Sequence, residues 1–246
     1  MRSTLLAVLG LLCSQAVLAQ VNNAEFDAIA KKFEKGSFVS ALETAEALID
    51  NDKHKKKPEP YLWAAMCFYE LSKSDDPKIQ DVYKAPLRDA LKFAGKAVSK
   101  DKNSNIVDDN ADFFNLMKKE GIAAAQAYEK EGDYRKASYT YKQIMEFAPS
   151  DPFVRFVKGV TDIRLSSLYE AGKEISVSFA ELEKNYMNMD YKPDPISSPM
   201  LKDALLYYVD HLVGLSYVDS ARNVLQSSRV IFPLSEELKT KLQDLN

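Results

Sequence analysis

From Asp101 to Asp112 the stretch DKNSNIVDDNAD sets oxygen-bearing side chains at alternating places: Asp101, Asn103 and Asn105, with Asp112 closing the run. Calcium is held by oxygen ligands at such spacing in a twelve-residue loop. That loop also needs glycine at its sixth position and a bidentate glutamate at its last, where Ile106 and the shorter Asp112 stand. The alternative is a polar turn that leads into a helix cap, and that is the reading we adopt. The chain has 2 histidines, His54 in the loop DKHKKKPEP and His211 after Asp210. Neither stands in an HExxH or cysteine-rich spacing, so packed or solvated rings are expected rather than zinc ligands. No GxSxG, GxGxxG or phosphate-loop pattern occurs. The abundant Lys, Asp and Glu on helices are better read as solvated faces than as catalysts. The sequence therefore predicts a protein that is not an enzyme, with no cofactor and no metal site. The run from Lys53 to Lys57, broken by His54, suits either a solvated turn or a contact with anionic lipid, glycan or phosphate.

The elements around these residues are set by composition and periodicity. Residues 1–19 read as a secretory leader: Arg2, an apolar run from Leu5 to Leu12, and the small-residue pattern Val17-Leu18-Ala19 before Gln20. Cys13 follows the large Leu12 where a lipidation signal wants a small residue, so a lipoprotein is not expected. Past the leader, charges interrupt every apolar stretch before the roughly 20 residues of a membrane helix, and the sequence predicts a soluble, exported chain, periplasmic or secreted. The formal net charge of −3 argues against a nucleic-acid surface. Removing the leader removes Cys13 and leaves Cys67 alone. Stability must then come from packing, with Cys67 a buried small hydrophobe in LWAAMCFYEL.

Nearly every long segment carries apolar residues three and four apart, the period of helices. The segment EKEGDYRKASYTYKQIMEFAPSDP, Glu129 to Pro152, adds fixed punctuation. Gly132 suits a helix C-terminus, Asp133 an N-cap, and Pro149 a stop, with Asp151-Pro152 opening the next helix. Ala137 is small enough for close helix approach, while Tyr128, Tyr134 and Tyr141 fill space. The pattern recurs. Ala221 precedes Pro233 by the same interval that separates Ala137 from Pro149, and Leu225 answers Tyr141. Gly36, Phe38, Ala41 and Ala45 keep the same order upstream, and Ala90, Ala94 and Ala97 form a weaker copy.

These residues resemble the tetratricopeptide repeat, a helix-turn-helix unit of about 34 residues. Ala125, Tyr128, Gly132, Tyr134, Ala137, Tyr141 and Pro149 occupy its signature positions, with Gly121 where a large residue is usual. The resemblance implies an all-α fold: antiparallel helix pairs stacked as a right-handed superhelix, one domain over 20–246. The expected pairs span 22–51, 58–100, 108–149, 151–187 and 199–231, and LSEELKTKLQDL would cap the stack. An insertion at 72–87 and a proline-rich connector at 185–199 break the regularity.

Such repeats act as scaffolds that present the first helix of each pair to a peptide or partner domain. Carried onto this chain, the groove positions would be Lys119, Ile122, Gln126, Glu129 and Lys130, then Phe156, Val160 and Arg164, then Asp203 and Asp210. Ile122 and Gln126 stand where a chaperone-tail clamp would have lysine and asparagine, so that ligand is not expected. The sequence thus predicts an exported scaffold for another protein, plausible in cell-envelope assembly or secretion. A carrier of a small ligand or glycan is the alternative, and an enzyme the third.

Overall fold

The computed structural model describes residues 24–165, 175, 177–184 and 197–245; the leader and nearly all of the 185–199 connector lie outside them. Among the described residues every regular element is a helix, and the helices pack against their neighbours. No helix among them is long and apolar enough to cross a membrane. The chain divides into two compact units, one holding residues up to Gly121 with Glu146–Ala148, the other Ile122–Met145 with residues from Pro149 onward.

The first unit opens with a 3-10 turn at Ala24–Phe26, then α1 (Asp27–Glu34) and α2 (Phe38–Ile49). It continues through α3 (Glu59–Ser72), α4 (Pro77–Val82), α5 (Pro86–Lys100) and α6 (Ile106–Asp109) into the first half of α7 (Ala111–Lys130). Helix α3 is apolar on most of its circumference, which makes it a core helix, and it packs on both α2 and α5. Its Trp63 has no exposed surface and meets the edge of Phe33 at 5.6 Å. Phe68 stacks on Phe93 of α5 at 5.3 Å. The 72–87 insertion is partly helical: Pro77 starts α4, and the Asp76 carboxylate accepts the Lys78 backbone N–H at 2.9 Å.

The second unit takes the last part of α7, then α8 (Tyr134–Met145), α9 (Pro152–Arg164), a helical stretch at 177–184, α10 (Ser197–Gly214), α11 (Val218–Ile231) and α12 (Glu236–Asp244). Helix α9 packs on α8 and α10, α11 on α10, and α12 on α11. As expected, the Asp151 carboxylate caps α9 by accepting the Val154 N–H at 3.0 Å, with Pro152 in the first turn. Helix α8 stops at Met145, short of the 149 boundary expected from sequence. A proline disfavours helical backbone in the residue before it, so the chain leaves the helix ahead of Pro149. Phe147 is then free to bury against Phe114 at 5.6 Å within the first unit.

One turn occurs three times in the same chemical form. Gly36, Gly132 and Ser216 all have left-handed backbone, with φ of 72°, 77° and 64°. Each turn closes with two reversed hydrogen bonds; at Gly132 the Asp133 N–H reaches Tyr128 O at 2.8 Å and the Gly132 N–H reaches Glu129 O at 3.0 Å. This double bond satisfies the last carbonyls of a helix. Counting on from each turn residue, the fifth position is Ala41, Ala137 or Ala221 and the ninth is Ala45, Tyr141 or Leu225, and all six have no exposed surface. The local repeat read from sequence is therefore physical.

Candidate binding cleft

Within the second unit, α7, α9 and α10 each contribute one stripe to a shared cleft of about 140 Å3. From α7 come Gln126, Glu129 and Lys130; from α9, Val157, Val160 and Arg164; from α10, Met200, Asp203 and Ala204. Within each set every member lies three or four residues from at least one other, the spacing that puts side chains on one helix face. Expressed by position in the sequence, these are the first helices of three consecutive pairs.

Arg164 is the central group. Its guanidinium carbon sits 4.4 Å from the ring centre of Tyr207 and 5.3 Å from that of Tyr134. Two aromatic faces hold the cation in one orientation by attraction to their ring electrons, on the order of 0.5–2 kcal/mol each. Its Nε is buried and donates to no protein atom, and Arg164 makes no ion pair among the described residues. Glu129 accepts a hydrogen bond from the Thr161 hydroxyl of α9. Burial pushes the Glu129 carboxyl above its ordinary range, opposed by that hydrogen bond and by the field of Arg164. Tyr141 lies close enough for Glu129 to raise its phenol further, although burial is the larger cause, and its hydroxyl is buried without a partner. Lys130 and Asp203 are exposed.

The cleft thus carries two cations and two carboxyls with an apolar wall. It can accept an anion or carbonyl at Arg164 and a donor at Glu129 or Asp203. No serine, cysteine, threonine or histidine is among the residues that line it.

Of the positions expected from sequence, Gln126, Glu129, Lys130, Val160, Arg164 and Asp203 come together here. Phe156 does not: it is fully buried against Phe179 and Tyr208, each 5.9 Å away. One residue along a helix rotates the side chain by about 100°, so Val157 takes the place on the cleft face. Ile122 is likewise core, 4% exposed. Lys119 is exposed on the part of α7 that belongs to the first unit, and Asp210 pairs with Lys241 of α12 at 2.6 Å. Met200, Ala204 and the two tyrosines beside Arg164 were not expected; the i, i+3, i+4, i+7 run of Met200, Asp203, Ala204 and Tyr207 was the available signal.

The other chemical candidates have structural roles. Both oxygens of Asp101 are engaged by backbone, accepting Asn103 N–H at 3.0 Å and Ile106 N–H at 2.7 Å, so 101–105 is a turn that its first aspartate holds closed, and α6 and the start of α7 take up the rest of the 101–112 stretch. Among the described residues no cluster of three or more His, Cys, Asp or Glu could hold a metal. His54 is buried beside Phe26, its Nδ1 3.4 Å from Glu25. Lys57 donates to Glu25 and Lys53 lies 3.4 Å from it, while Lys55 pairs with Asp52 at 2.5 Å. The Lys57 hydrogen bond holds the Glu25 carboxyl below its ordinary value. Cys67 has no exposed surface, and burial raises its thiol well above the usual range, which keeps it an unreactive core group. A scan against models of known protein families and a search of characterised proteins found no match for this chain.

Proposed function

We propose that the protein is a non-catalytic scaffold that holds a segment of a partner protein in the cleft around Arg164. The observation that carries this reading is the convergence of three helical stripes on a guanidinium that is oriented by Tyr134 and Tyr207 and has no protein acceptor. A charged donor left without an acceptor in a partly buried site is unfavourable, and a ligand acceptor relieves it. The fitting segment presents a carboxylate or carbonyl to Arg164 and a donor to Glu129 or Asp203. Its apolar flank lies along Val157, Val160, Met200 and Ala204. The use of alternate helices agrees with a tetratricopeptide-type groove, and the leader-like residues 1–19 support an exported scaffold working in the cell envelope or outside the cell.

The test is selection of peptides on the purified protein from a randomised library, followed by affinity measurement against Arg164→Lys. Lysine keeps the charge but loses the planar fork and its ring stacking. Selected peptides should bind the variant about tenfold more weakly or worse, the equivalent of one charge-assisted hydrogen bond. Equal affinity for both proteins would remove the cleft from the reading.

A further inference from the structure

Beside the Arg164 cleft two acceptors compete for one hydroxyl hydrogen. The Thr161 oxygen of α9 stands within hydrogen-bond reach of Glu129 Oε1 and 2.9 Å from Val157 O. A hydroxyl has a single hydrogen to donate, but its oxygen also accepts. With Glu129 ionised, Thr161 donates to the carboxylate. With Glu129 protonated, the carboxylic acid donates to Thr161, whose own hydrogen turns to Val157 O. Glu129 is therefore bonded to the protein in either state, which a lysine or backbone N–H partner, a donor only, would not allow.

The charged groups around Glu129 come from three helices. Lys130 lines the cleft from its own helix, Arg164 from α9 and Asp203 from α10. With both carboxyls ionised the lining balances two cations against two anions, and a proton on Glu129 removes one of the two anions that face a ligand donor. Asp162, next to Thr161, is committed to Lys158 at 2.6 Å and to the Ser138 hydroxyl of α8. Tyr141 of α8 has no exposed surface, and burial raises its phenol, so it keeps its proton. Burial also lifts the Glu129 carboxyl above its ordinary range; the Thr161 bond and Arg164 oppose that lift, and Asp203 adds to it.

We infer that Glu129 makes binding in this cleft compete with a proton: its carboxylate holds the donor of the bound segment, and protonation weakens that hold and favours release. The inference rests on the scaffold reading above and adds its regulation. A donor on the ionised carboxyl makes a charge-assisted hydrogen bond, while a neutral acid offers only an ordinary one. Binding therefore draws the proton off Glu129 to solvent. Affinity is full above the folded midpoint of Glu129 and falls as pH drops through it.

The probe is a histidine-free peptide selected on the purified full chain at neutral pH. Its affinity for the parent, Glu129→Gln and Arg164→Lys is followed by fluorescence anisotropy from about pH 7.5 to about pH 4.5. At neutral pH the parent should bind about tenfold more tightly than Glu129→Gln, the loss of one charge-assisted bond. As pH falls, the parent should weaken relative to that variant until the two meet. Calorimetry in two buffers of different ionisation heat should show protons released on binding to the parent and none with Glu129→Gln. Arg164→Lys should bind more weakly at every pH and keep the fall. Parallel profiles for the parent and Glu129→Gln, or no proton release at any pH, would overturn the inference alone. A peptide that Arg164→Lys binds as tightly as the parent does, or a selection that yields none, would remove the cleft reading and this inference with it.

Discussion

Replacing Ala137 with leucine tests whether the repeated turn sets helix spacing. Ala137 has no exposed surface, lies five residues past the left-handed Gly132, and its N–H donates to Asp133 O at 3.1 Å in the first turn of α8. The equivalent positions on the other two turns, Ala41 and Ala221, are also alanine and also without exposed surface. A methyl group at this depth leaves no free volume for an isobutyl group, and cores answer such insertions by shifting rotamers and backbone. The expected cost is about 1–3 kcal/mol. For a chain of this size that corresponds to a fall of roughly 2–12 °C in melting midpoint. Thermal unfolding followed by circular dichroism measures it. Ala127→Leu, at an exposed position of α7, is the control and should stay within about 0.5 kcal/mol of the parent. An Ala137→Leu midpoint equal to that of the control would refute the close approach assigned to this position.

Two further outcomes are expected. Ser216 holds the left-handed turn that glycine holds elsewhere, at φ 64° and exposed. Its side chain pays roughly 1–2 kcal/mol for that backbone, against about 0.5–1 kcal/mol of extra unfolded freedom for glycine. Ser216→Gly should therefore stabilise by about 0.5–1 kcal/mol in chemical denaturation, and a loss of stability would contradict the strain argument. Glu129→Gln should raise the melting midpoint at neutral pH. Burial lifts the folded carboxyl above its unfolded value, so the folded state binds the proton more tightly and ionisation weakens the fold as pH rises through that raised value. Below the unfolded pKa, about 4, glutamate and glutamine should melt alike; a gain that persisted there would show that charge burial is not its cause.

Much of the helical grammar was legible because it is local. Gly132, Asp151 and Pro152 act within one turn of chain, so their backbone consequences follow from residue type. The alanine and tyrosine positions at 137 and 141 were legible because their spacing repeats at 221 and 225. The cleft was legible only in part. The resemblance to the repeat supplied Gln126, Glu129, Lys130 and Arg164, but a one-residue ambiguity in carrying its register onto this chain put Phe156 on the surface and missed Val157. The clamp on Arg164 depends on Tyr134 and Tyr207, which lie on different helices, and no local pattern states that these two rings share one cation. The Lys53 to Lys57 run was visible, but only the fold places Lys56 and Lys57 around one concavity with Lys100, Lys102, Glu59, Asp101 and Asp109.

The most direct test of the account is a double-mutant cycle in which Arg164→Lys and Glu129→Gln are measured against a peptide selected on the parent protein. If one ligand segment bridges the guanidinium and the carboxyl, each variant should weaken binding by about tenfold and the pair by less than the product of the two, since neighbouring contacts to one ligand are coupled. Unchanged affinity in Arg164→Lys, or losses that simply multiply, would contradict a single cleft that holds one segment between them.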